Sequence, residues 1–406
     1  MKTTYTQIEN GKGFWSLLLL LAGMIAVGLA ATFYMEHNGH WVTGMDNQIV
    51  WGMPHVFAIF LIVAASGALN VASIGSVFGR KMYKPLAPLS ALLAVALLVG
   101  GLAVLVLDLG RPDRLAVAMT TFNFKSIFTW NVILYNGFLL IVGIYLWTML
   151  EKRMNKHKDQ VGIVAFVWRL VLTTGTGSIF GWLVARQAYD AAILAPMFVV
   201  MSFSFGLAFY LLVLLATYQL TGREVGDYVL NRLKSLLGVF VASVLYFVMV
   251  YHFTNLYAAE HTGIEHFILL NGGIFTLLFW LVQIIIGSLV PLALIYAPQF
   301  RQNRSALTAA AILVLLGGLA QVYVILIGGQ AYPLINFPGY EVSSTFADGI
   351  VNSYVPTLAE FLLGFMGVAI TLIMVAVAIA ALRILPSSLA DKVMDPHALV
   401  AAQAKK

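Results

Sequence analysis

Ten apolar stretches of about 20 residues or more run through the chain, and few folds can contain them. A helix needs about 20 such residues to cross the roughly 30 Å hydrocarbon core of a bilayer. The stretches fall at 14–34, 49–78, 86–107, 127–150, 161–186, 196–220, 236–258, 266–296, 306–328 and 356–384. The chain therefore reads as an all-α integral membrane protein of about ten transmembrane helices. It forms a single membrane domain over 1–406 with a cytoplasmic tail at 385–406. Composition agrees, with 61% hydrophobic and only 10% charged residues against about half and a quarter in a soluble domain. Soluble enzymes, nucleic-acid binders and disordered scaffolds are excluded. The first stretch is longer than a signal-peptide core and reads as a retained helix. The second and eighth stretches are long, which predicts tilt or protrusion. Gly287 and Pro291 predict a kink in the eighth.

Charge sets an orientation. With the N-terminus inside, 18 of the 23 Lys and Arg fall on the inner side. Four fall outside (Arg111, Arg114, Lys125 and Arg186), and Arg169 lies within the fifth stretch. The positive-inside rule then predicts both termini in the cytoplasm. The cysteine count is zero, so no disulfide and no thiolate-held iron–sulfur cluster, haem attachment or zinc site belongs to this chain. Any electrons it handles pass through a partner's centres or a dissolved organic carrier.

Polar groups in or beside a membrane are costly and mark candidate sites. On this topology they gather at the outer side: His55, Asp108, Arg111, Asp113, Arg114, Arg186, Asp190, His252, Glu260, His261, Glu265, His266 and Glu360. His55 follows Trp51-Gly52-Met53-Pro54, and Pro54 predicts a bend about two turns into the second helix that opens a polar pocket. An imidazole there titrates near neutral pH and suits proton exchange. The run Asp108-Leu109-Gly110-Arg111-Pro112-Asp113-Arg114 stops the third helix, and residues 115–125 are too short to span, so they lie along the interface. Its arginines either snorkel and pair with the acids or contact a ligand. Arg169 is followed by Thr173, Thr174, Thr176 and Ser178. These hydroxyls either let helices pack closely or form a proton path with Arg169 and Glu360. A haem held between His55 and His252 is a further alternative. So is a secondary transporter or ion channel, which Arg169 and the kinked eighth helix would serve.

The residues Trp51-Gly52-Met53-Pro54, then Ser66-Gly67-Ala68, and above all Asp108-Leu109-Gly110-Arg111-Pro112-Asp113-Arg114 followed by Lys125-Ser126-Ile127-Phe128-Thr129-Trp130 carry a resemblance. The chain resembles the NrfD/PsrC family of polysulfide-reductase membrane subunits, most of all its ten-helix branch that serves sulfite-reduction-associated and hydrogenase complexes. The match is strongest over helices two to four and looser over 287–330 and at Tyr354-Val355-Pro356…Glu360. It departs at Thr129-Trp130-Asn131, where small residues are expected around the Trp. The resemblance implies four-helix bundles without haem or cluster, in a bacterial or archaeal cytoplasmic membrane. It implies a quinone (menaquinone or ubiquinone) bound near the outer face and a periplasmic ferredoxin-like iron–sulfur subunit docked there, beside other membrane and redox subunits. The long outer loop 329–355, with Tyr332, Phe337, Tyr340, Phe346 and Tyr354, is the expected docking surface. Carried over by position, His55, Asp108, Arg111 and Arg114 flank the quinone pocket, with His55 and Asp108 as the candidate catalytic, proton-exchanging pair. Trp51, His252 and Glu260 are added as candidate cofactor contacts from their location alone.

Overall fold

The structure is a computed structural model and describes residues 4–9, 11–333 and 349–396. Ten of its helices are long and apolar enough to cross a membrane: α1 (Lys12–Asn38), α2 (Met53–Ser76), α3 (Lys81–Leu107), α4 (Ile127–Leu150), α5 (Asn155–Gly181), α6 (Leu194–Leu220), α7 (Asp227–Tyr257), α8 (Ile274–Tyr296), α9 (Arg304–Ala331) and α10 (Leu358–Ala381). Among the described residues, contacts between the odd-numbered turns, such as Arg186 with Gln48 and Gly44 with Glu360, gather them at one end of the molecule, called here the site end.

Two four-helix groups result. Helices α2, α3, α4 and α5 pack as one, and α6, α7, α8 and α9 as the other. The groups are fused, because α6 also lies along α2 and α5. Helix α10 covers α2 and α3, and α1 lies on α10 at the periphery. Burial follows apolar character: α2 is hydrophobic on every face and is almost wholly enclosed by protein. The α2–α6 crossing is close because Gly67 and Gly206 meet there. A Cβ on Gly67 would fall onto the Ser202 carbonyl, and one on Gly206 onto the Gly67–Ala68 backbone. Between membrane helices, small residues at the contact replace the missing hydrophobic drive with close packing.

At the other end the chain's two arms meet. Tyr5 and Thr6 pair antiparallel with Pro386 and Leu385. Arg223 donates to the carbonyls of Gln7 and Pro386. The Asp391 carboxylate accepts from the backbone N–H groups of Asp227 and Tyr228 at the start of α7.

Two expectations change. Helix α2 begins at Met53, so Pro54 lies in its first turn, where a missing N–H leaves no gap. His55 is thus at the mouth of the helix, and Pro54 bends nothing. The long eighth stretch is two pieces: Thr262–His266 and a π turn at Phe267–Asn271, then Gly272 and Gly273, then α8. Gly273 has φ 58°, which a side chain would resist. Hydropathy reads through this turn because both flanks are apolar. Within α8, Leu278–Leu289 is wound as a π-helix just before Pro291.

Candidate functional site

The α2–α3 antiparallel pair brings the first turn of α2 beside the last of α3. His55 Nδ1 lies 2.7 Å from Asp108 Oδ2. Asp108 is the C-terminal cap of α3 and its side chain is fully buried, while that of His55 keeps a small exposed edge. The ring meets the carboxylate off the ideal hydrogen-bond direction, and no other described group satisfies either Asp108 oxygen. The pair thus sets a buried carboxylate against a single imidazole.

After Asp108 the chain reverses at Gly110, whose φ of 62° explains the glycine in that run. It then runs into the short helix Leu115–Thr120. Leu115 and Met119 of that helix rim a cleft of about 380 Å³ between α3 and α4, with His55 and Trp51 in its wall. Leu102, Leu105 and Val106 supply one side, and Asn131, Val132 and Tyr135 of α4 the other. Leu109, Met119 and Phe128 are exposed at the rim, so the cleft opens on the apolar flank of the bundle. Its size and its apolar lining with a few converging polar groups are those of a small-molecule site.

Trp51 packs at the closed end against Phe180 and Tyr189, with ring centroids 6.0 and 6.4 Å away. Its backbone is clamped by Gln330 of α9, which accepts from Trp51 N and donates to Trp51 O, each at 3.0 Å. Arg186 ties the same loop through the carbonyls of Gln48 and Gln330. Burial holds the Tyr189 hydroxyl well above its ordinary range, so it remains a donor to Leu326 O.

Arg111 and Arg114 lie elsewhere. Arg111 is exposed and forks onto Asp113 at 3.1 Å, which holds the Asp113 carboxyl below its usual range. Arg114 is exposed and makes no ion pair among the described residues. Neither guanidinium lines the cleft.

His252 belongs to the other helix group. Its Nδ1 sits 2.6 Å from Glu265 Oε2, and Asn255 donates to Glu265 Oε1 at 2.8 Å. Glu265 is fully buried, whereas Glu260 is 78% exposed beside His261. The acid that meets His252 is therefore Glu265, and Glu260 takes no part. His55 and His252 line different cavities with no residue in common. Among the described residues no cluster of three or more His, Asp or Glu is placed to hold a metal.

Arg169 is buried in the centre of α5 without a carboxylate among the described residues. It donates to Ser66 O at 3.2 Å and lies between the Phe166 and Phe203 rings, 5.0 and 5.1 Å from their centroids. Thr173 bonds Ser66 Oγ at 2.5 Å and its own helix at Arg169 O. One turn on, Thr176 contacts Tyr135 Oη at 3.2 Å and Asn131 Oδ1 at 3.4 Å, and both partners line the cleft. Asn131 is the departure from the expected small residue, and Tyr135 was missed. Both are polar residues four apart inside an apolar span, which is the signal that finds them.

Glu360 is apart from this chain of hydroxyls. It is fully buried and caps α10, accepting from Gly44 N, Thr357 N and Oγ1, and Tyr354 Oη. Burial first, and Glu360 next, push the Tyr354 hydroxyl well above its ordinary range, so it stays a donor. Phe337, Tyr340 and Phe346 of the expected docking loop lie outside the described residues. Tyr332 and Tyr354 are inside them and pack inward.

Relatives of known description share this layout of sequence. The chain is 27% identical over 399 residues to the Hdr-like menaquinol oxidoreductase integral membrane subunit of Archaeoglobus fulgidus, covering 97% of this chain and all of that one. It is 24% identical to the menaquinone reductase integral membrane subunit of Nitratidesulfovibrio vulgaris, covering 88% and 89% of the two chains. It is 22% identical to a selenate reductase subunit of Mesobacillus selenatarsenatis, over 88% and 92%. The family model described as "Polysulphide reductase, NrfD" matches residues 41–333, which include the cleft, His55, His252 and Arg169. This multi-pass membrane protein belongs to the NrfD polysulphide reductase family.

Proposed function

We propose that the chain is the quinone-reactive membrane subunit of a respiratory or sulfur-metabolism redox complex, exchanging electrons between membrane quinone and an iron–sulfur partner at the site end. The observation that carries this reading is His55, paired with the buried Asp108 behind it, in the wall of an apolar cleft that opens sideways on the flank of the bundle. The cleft fits such a group: its long walls are aliphatic, and the Asp108 oxygens lack any partner but His55. A bound quinone supplies two-electron chemistry that takes up or gives up two protons. With Nδ1 turned to Asp108, His55 offers its other nitrogen to a carbonyl or hydroxyl in the cleft, and Asp108 steadies the charged ring. Asn131 and Tyr135 line the same cleft from α4. Thr176 beside Tyr135, and the separate group Thr173, Ser66 and Arg169 one turn inward, are the stations proposed for the exchanged proton. The relatives named for menaquinol and menaquinone favour that class of carrier. The missing cysteines require the electron's next stop to lie in another subunit.

The test uses the intact complex. His55→Ala and Asp108→Asn should each lower quinol-linked electron transfer on the order of 10²-fold, the scale of general acid–base catalysis, while the complex still assembles. Unchanged turnover overturns the site. Solute uptake by the purified chain in liposomes, without partner or quinone, would instead favour transport.

A further inference from the structure

At the end where the two arms meet, the start of α7 faces the turn between α8 and α9. Lys234 is the buried residue of that contact. It is 6% exposed, and its ammonium donates to Phe300 O at 3.0 Å and Arg301 O at 3.2 Å. An ammonium carries three N–H donors, so one is left without a partner among the described residues. The residue borders a recess of about 20 Å³, which Asp227, Asn231, Arg301, Asn303 and Arg304 also line. Three cations thus share one recess with a single carboxylate, and Asp227 Oδ1 already accepts from Arg304 at 3.0 Å. The guanidinium of Arg301 is exposed and has no partner among the described residues. Like charges gathered at the edge of a low-dielectric slab repel one another, so the recess calls for an anion.

Depth decides which anion. Lys234 stands just before the apolar stretch of α7, and Arg304 just before that of α9. Tyr296, at the end of α8, is exposed along one side and packs on Gly238, one turn further along α7 than Lys234. A tyrosine so placed marks the boundary between hydrocarbon and headgroups. The three cations therefore sit at the level of lipid phosphate. Leu289, two turns back from Tyr296 and on the same face of α8, is exposed as well, which continues an apolar strip into the hydrocarbon. We propose that the recess binds the phosphate of an anionic phospholipid, held by Lys234 and Arg301, with the acyl chains along Tyr296 and Leu289. A space of this volume admits a single oxygen, so one phosphate oxygen reaches the spare Lys234 donor and the others meet Arg301. The rest of the headgroup stays in the interface. Basic recesses between membrane helices recognise lipid phosphate in this way. A zwitterionic headgroup fits less well, because it brings its own cation to a recess that already holds three.

The test uses the purified full-length chain in neutral detergent, titrated with phosphatidylglycerol or with phosphatidylcholine of the same acyl chains and followed by native mass spectrometry. The wild type should hold phosphatidylglycerol about tenfold more tightly than phosphatidylcholine, the scale of two basic residues at a headgroup. Equal affinity for the two lipids overturns the proposal. Arg301→Gln, whose side chain holds no other group in place, should weaken phosphatidylglycerol about fivefold, the scale of one such residue. Arg301→Lys should keep most of the affinity. Lys152→Gln removes the same charge from an exposed position on the α4–α5 turn and should leave binding unchanged. Equal weakening by Arg301→Gln and Lys152→Gln overturns the site, since it reports only diffuse attraction to a basic surface. Inorganic phosphate at the same concentration as the lipid should displace none of it. Displacement that depends on Arg301 overturns the lipid assignment in favour of a free anion.

Discussion

Five polar residues between Glu260 and His266 look equivalent in sequence, yet only Glu265 reaches His252. The choice depends on the phase of a five-residue helix and on the turn at Gly273, which hydropathy does not register. His55 and Asp108 were legible because each stands alone at the end of an apolar span, and their antiparallel helices leave them little choice of partner. Arg111 and Arg114 share a motif with Asp108 but follow a positive-φ glycine that turns them outward. Glu360 shows how a buried acid in the candidate proton set can be engaged in holding backbone. Glu360→Ala leaves the Gly44 and Thr357 N–H groups and the Tyr354 hydroxyl without their acceptor. It should cost on the order of 1–3 kcal/mol, measurable as a lowered thermal midpoint in detergent. Glu360→Gln keeps an acceptor and should restore most of that loss, whereas a proton-carrying role would leave quinol turnover impaired in both variants.

Element boundaries follow the hydropathy ruler where helix and bilayer end together, as in α4, which occupies 127–150 in both readings. They diverge where a helix outruns the membrane. Helix α7 starts at Asp227 and not at 236, because Asn231, Arg232 and Lys234 are polar residues in a helical turn beyond the apolar core. Helix α5 stops at Gly181 although apolar residues continue to Ala185, since Trp182 caps the helix and the chain turns toward Arg186. The contact that joins the two helix groups was not legible: Ser66-Gly67-Ala68 stood out as a motif, but its partner Gly206 had no reason to. Gly67→Val places a branched side chain against the α6 backbone. The expected outcome is loss of folded, monodisperse protein on size-exclusion chromatography, while Gly143→Val, which meets nothing within 4 Å, behaves as wild type.

For the molecule as a whole, ten crossings and the pairing of Tyr5–Thr6 with Leu385–Pro386 place both ends of the described chain on one face. Which face is a matter of charge, and on the split of 18 basic residues against four we propose the cytoplasmic one. Green fluorescent protein fused at either terminus should fluoresce, and alkaline phosphatase inserted after Trp182 should be active. Active phosphatase at either terminus overturns the assignment and moves the cleft to the cytoplasmic side. Helix α2 also sets a timetable for biogenesis. Much of its enclosure comes from α6 and α10, which the ribosome makes more than a hundred residues later. Until Leu194–Leu220 has entered the bilayer, the helix that carries His55 waits beside lipid or an insertase. A chain stalled before that point leaves this enclosure unformed, so α2 reaches its packed state only once the later helices have been made.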